Sequence, residues 1–134
     1  MQIIRMVTAA VVACAIGVAA LQAQKPGQTA TETYMSYVGT LAKAKSMDEL
    51  LPYMSAARAG QAKAAPADEK KMMFEFVKEM GAKNVKVVKE TPSAAGATLD
   101  VTGSDPAGGA MKGTVTMVKE GGAFKIEKES WSNK

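Results

Sequence analysis

The chain has 134 residues, 47% hydrophobic and 22% charged, with a formal net charge of +4 and no histidine. That length holds one domain, and the missing histidine excludes Ser-His-Asp triads, His–Asp proton-abstracting pairs and every imidazole metal site. The lysines are interleaved with glutamates, as in "VKEGG" and "KIEKES", which describes a solvated mixed surface and no basic stripe for nucleic acid.

Residues 1–23 read as a cleaved secretory signal. Arg5 supplies a short positive region, Met6–Leu21 an alanine-rich apolar run, and Ala23 the small residue before the cleavage point. The run is shorter than the roughly 20 residues a transmembrane helix needs, so no stable membrane insertion is expected after cleavage. "VVAC", Val11–Cys14, is similar to a bacterial lipobox, in which Cys14 would be lipidated. The apolar "AIGVAAL" that follows, where a polar tether is usual, favours Cys14 as an ordinary leader residue. The expected location is therefore periplasmic or secreted, with a lipoprotein anchored through Cys14 as the alternative. Loss of the leader removes Arg5 and no acid, so the net charge falls by one. It also removes the only cysteine, which leaves neither a disulfide nor a thiolate metal site.

Residues 24–30, "QKPGQTA", form a flexible tether in which Pro26, Gly27 and small polar residues have nothing to bury. The domain proper spans 31–134. Tyr34, Val38 and Leu41 recur at i, i+4 and i+7 and predict a helix over 30–44. Ser46 and Glu49 form a capping box for a second helix, with Asp48 favourable at its positive end and Pro52 keeping it short or kinked. "AARAGQAKAA" is weakly patterned and predicts one or two frayed turns. Pro66 opens a third helix that carries Met73, Val77 and Met80 on one face, with Met72 and Phe76 adjoining. Gly81 is expected as its left-handed C-cap.

After Lys83 the period changes to two. "NVKVVKE", "GATLDVTG", "MKGTVTMVKE" and "AFKIEKESW" read as four strands, the last pair joined by Gly-Gly. Leu99, Val101, Val115 and Met117 share one face, while Thr98, Asp100, Thr114 and Thr116 take the other. This is the signature of an antiparallel sheet covered on one side. Three N-terminal helices packed on a curved four-stranded antiparallel sheet make an α+β roll.

In the last strand, Gly122, Phe124, Lys125, Ile126, Glu129 and Trp131, with "SMDELLPYMS" and "NVKVVKE" upstream, make a familiar order. On these residues the chain resembles the nuclear transport factor 2-like superfamily, the cone-shaped roll shared with ketosteroid isomerase and the SnoaL-like cyclases. The likeness is greatest to small exported bacterial members of unassigned activity. The resemblance implies a bent sheet wrapping the first helix, with a pocket at the wide end of the cone. Ile126 to Trp131 is an odd step, so a bulge around Lys128 is needed to return Trp131 to the inner face, where it would plug the sheet onto the helices.

Enzymes on that fold take a proton with an inward-facing aspartate. Here Asp100 is expected to face solvent, Asp48 and Asp68 sit at helix starts, and Asp105 lies in a Gly/Pro loop. No catalytic residue is therefore assigned, and no metal or cofactor. A lyase or isomerase of the SnoaL-like type stays a minor alternative, since fold does not imply function.

The methionines outside the leader are soft, adaptable fillers. With the tyrosines they suggest an apolar pocket lined by Tyr34, Met35, Tyr37, Met73, Val115, Met117 and Trp131, which would take a small apolar ligand. Tyr53 is a further hydroxyl of the same kind. The competing reading makes the molecule a structural envelope module without a ligand, dimerising through the outer sheet face at Thr98, Thr102, Thr114 and Thr116.

Overall fold

A computed structural model describes residues 28–133. The expected signal peptide, Cys14 and all but the last residues of the tether lie outside them.

Helix α1, Ala30–Lys43, begins at a capping box in which Thr29 and Glu32 each accept the other's backbone N–H. Glu90 of the sheet adds a tertiary cap, accepting from the Thr31 backbone N–H and hydroxyl at 2.7 Å. The Ser46–Glu49 box is present too, but Pro52 limits the chain to two 3₁₀ turns, Met47–Glu49 and Leu51–Tyr53. The exposed Glu49 carboxyl accepts from the Lys45 and Ser46 N–H groups, which holds it below the usual carboxylate range.

Helix α2, Ala56–Ala64, is better formed than its sequence suggests. Its N-terminal end is fixed by a local cap, in which Ser55 accepts from Arg58 N–H at 3.3 Å, and by a tertiary one, in which Glu120 of the sheet accepts from Ala56 N–H at 3.1 Å. Helix α3, Ala67–Met80, follows Pro66 as expected. Its one buried side chain is Phe74, not a member of the Met73–Val77–Met80 face. Lys78 sits 5.5 Å from the Phe74 ring and donates to the Ala44 carbonyl, which pins that side of the helix to the end of α1. Gly81 is not left-handed: it is extended, φ −63° and ψ 148°. Its lack of a side chain serves close approach instead, since a Cβ there would stand 2.3 Å from the Val77 carbonyl oxygen.

Strands β1, Lys83–Pro92, β2, Gly96–Ser104, β3, Ala110–Glu120, and β4, Ala123–Asn133, pair antiparallel in sequence order. The fold is thus α+β, helices on an open four-stranded meander. Gly121 and Gly122, at φ 58° and 81°, make the two-residue β3–β4 turn whose handedness matches the strand twist. In β1 an extra residue near Val88 breaks the register between Val87 and Lys89, which leaves Val88 exposed. Ala97, Leu99, Val101, Val115, Met117 and Ile126 form the buried inner face. Across it lie Tyr34 and Tyr37 of α1, with Leu50, Tyr53 and Met54 from the 3₁₀ segment. Met54 and Ser55 bridge to Ile126, so this segment also covers part of the β4 edge.

Candidate ligand-binding cavity

The pairing of β3 with β4 decides which side chains enter the molecule. Met117 opposes Ile126 and Thr116 opposes Lys128, leaving Glu127 as the extra residue. The bulge therefore falls one position before Lys128. After it the inward face is carried by Glu129, opposite Val115, and by Trp131, opposite Gly113. The odd step that returns the tryptophan to the inner face carries a glutamate with it.

These two residues, α1, and the inner edge of α3 enclose a cavity of about 460 Å³. Val38 and Leu41 line it from α1, Phe76, Val77 and Met80 from α3, Val85 from β1, and Trp131 from β4. Its volume is in the range of small-molecule pockets. At its deep end Tyr34, Tyr37, Arg58 and Glu129 converge. The Tyr34 hydroxyl donates to Glu129 Oε2 at 3.0 Å, and Arg58 Nη2 approaches Glu129 Oε1 at 3.4 Å. The Arg58 Nη1 group is buried and has no hydrogen-bond partner among the described residues. At the shallow end Phe76 and Met80 are 65% and 56% exposed.

Burial raises the Tyr34 and Tyr37 hydroxyls well above the ordinary tyrosine value, the Glu129 carboxylate adds to this, and Arg58 partly offsets it. Both hydroxyls are therefore neutral donors at physiological pH. The three tyrosine rings touch in sequence, tilted for Tyr34–Tyr37 with centroids 5.8 Å apart and edge-to-face for Tyr37–Tyr53 at 5.9 Å. Tyr53 turns away from the cavity and shares a 2.8 Å hydrogen bond with the Thr40 hydroxyl.

A second, smaller cavity of about 140 Å³ lies behind the first and is lined by Met47, Leu50, Met54 and Met73 among others. Tyr37, Arg58 and Val77 line both, so they form the partition. The pocket expected from sequence is thus distributed. Tyr34, Tyr37 and Trp131 line the larger cavity and Met73 the smaller one. Val115 and Met117 are fully buried in the inner face of the sheet, and Met35 lies partly exposed on α1. The lining residues that the sequence expectation omitted include the charged pair Arg58 and Glu129 and the apolar Val38, Leu41, Phe76, Val77, Met80 and Val85.

Asp100 is exposed on the outer face, as the alternation requires. There it borders a depression of about 400 Å³ with Val88, Thr102, Lys112, Thr114, Ser130 and Ser132. No group of three or more potential carboxylate, thiolate or imidazole metal ligands occurs among the described residues. No helix among them is long and apolar enough to cross a membrane. No family model, curated protein or solved structure matches this chain in comparisons with known proteins.

Proposed function

We propose that this protein is an exported, non-enzymatic binding domain of the nuclear transport factor 2-like type, which holds a small, largely apolar ligand between α1, α3 and the sheet. The observation that carries this reading is the larger cavity itself: apolar walls, an indole on one side, and a few polar groups converging at one end. That is the usual composition of a small-molecule site, in which apolar area supplies affinity and sparse polar groups fix orientation. The element order and the last-strand pattern support the family assignment, and residues 1–23 support export.

Native mass spectrometry of the protein purified from the cells that make it tests the proposal. The expected result is a co-purifying small mass that is lost on denaturation and lost again in a Val38→Trp variant designed to fill the cavity. A bare protein mass, with a crystal structure in which side chains fill the space between Trp131 and α3, overturns it.

The depression on the outer face supports a second reading, a face for a second copy of the chain. A sedimentation-velocity monomer at high concentration would remove that reading and leave the first untouched.

A further inference from the structure

We infer that the cavity selects electrically neutral amphiphiles that carry a hydrogen-bond-accepting oxygen at one end, an ester, amide or ketone, and that it excludes the corresponding carboxylates and amines. The inference rests on the binding reading above and names the class of ligand.

Arg58 and Glu129 are the two charged groups lining the larger cavity, and they stand against each other, so its deep end is close to neutral overall. Their capacities are not equally used. Glu129 Oε2 accepts from Tyr34 and Oε1 faces Arg58 Nη2, so the carboxylate has a donor at each oxygen. The guanidinium has its Nη1 buried without an acceptor. Arg58 lines both cavities, and a rotation of its guanidinium that presents Nη1 to an acceptor brought by the ligand into the larger one recovers the free energy that an unpaired buried donor costs. The missing group is therefore an acceptor oxygen. The charge it brings is limited by its neighbours: a carboxylate at Nη1 would add a second negative charge beside Glu129, and an ammonium would face Arg58. A neutral oxygen satisfies the donor and leaves the ion pair balanced.

The orientation follows from burial. Tyr34 and Tyr37 at the polar end are buried, whereas Phe76 and Met80 at the other end are exposed. The ligand enters polar end first, and its apolar tail finishes against Phe76, Met80 and Trp131 at the mouth.

The experiment is titration of the protein with methyl octanoate, octanoate, octylamine and octane, read by the emission of Trp131, its only tryptophan. Isothermal calorimetry gives the affinities. Methyl octanoate is expected to bind roughly tenfold more tightly than octanoate, octylamine or octane. In Glu129→Gln, octanoate should gain roughly tenfold while methyl octanoate changes by less than about threefold, because Arg58 then lacks its anion. In the double variant Arg58→Gln with Glu129→Gln, which leaves no lone buried charge, octane and methyl octanoate should become alike. If octane matches methyl octanoate in the unaltered protein, the acceptor-oxygen inference fails and the cavity reading survives. If octanoate binds tightest there, charge exclusion is overturned. If all four fail to bind, the inference and the reading beneath it fall together.

Discussion

The indole of Trp131 lies directly over Gly113, its cross-strand partner, so closely that a Cβ on Gly113 would stand 2.7 Å from Cδ2 and 2.8 Å from Cε3. The far edge of the ring reaches β2, where the same construction on Gly103 gives 3.5 Å to Cη2. Trp131 thus covers two glycines on adjacent strands and forms a wall of the cavity in the same placement. An aromatic covering a strand glycine restores packing that the glycine lacks.

Gly113→Ala is therefore expected to destabilise the fold by about 1–3 kcal/mol, the usual cost of overpacking. It should also shift the Trp131 emission as the ring is displaced toward the cavity. Urea denaturation followed by fluorescence measures both quantities. Unchanged stability with unchanged emission would show that the ring does not rest on Gly113.

Tyr34→Phe removes the one hydroxyl that donates to Glu129 Oε2 and leaves a partly buried carboxylate oxygen short of a donor. The expected loss is about 1.5–3 kcal/mol, the range for a hydrogen bond to a charged group. Tyr53→Phe is the control. It breaks a bond between two neutral hydroxyls, and its cost should be the smaller of the two, about 1 kcal/mol. Equal costs in chemical denaturation would remove the special role given to Glu129.

Alkali should unfold the protein through Tyr34 and Tyr37. The Tyr34 and Tyr37 values are raised in the folded state, chiefly by burial. A raised value gives stability that is full below the unfolded value and is lost as pH rises past it. The unfolded tyrosine loses its proton near pH 10, while the folded one keeps it. Above about pH 10 each of the two should therefore remove about 1.4 kcal/mol of stability per pH unit. Stability measured from pH 9 to 11 should fall less steeply in Tyr34→Phe with Tyr37→Phe than in the unaltered protein. Parallel slopes would contradict the burial of these hydroxyls.

The strands, the Gly-Gly turn, the Ser46–Glu49 capping box and the bulge in the last strand were all legible, because alternation and turn chemistry are local signals. The long-range caps were not. Nothing near "AARAGQAKAA" announces that Glu120 will accept from Ala56, so a well-formed α2 reads as frayed turns, and Arg58 on it goes unnoticed. The apolar face of α3 was visible as a pattern, but periodicity cannot distinguish a face packed solid from one that borders cavities. Phe74, one step off that pattern, is the residue buried. Glu129 was within reach: the odd step that places Trp131 inward applies to residue 129 as well, and a charged residue is not usually assigned to an inner face.

The helix caps supplied by the sheet give a further test. Glu90 accepts from both the N–H and the hydroxyl of Thr31 at the positive end of α1. Glu90→Ala should cost about 1–2 kcal/mol, combining a lost cap with a lost favourable charge at the helix start. Hydrogen exchange should locate the added fraying in the first turn of α1. Exchange unchanged there would show that the Thr29–Glu32 box holds the helix start alone.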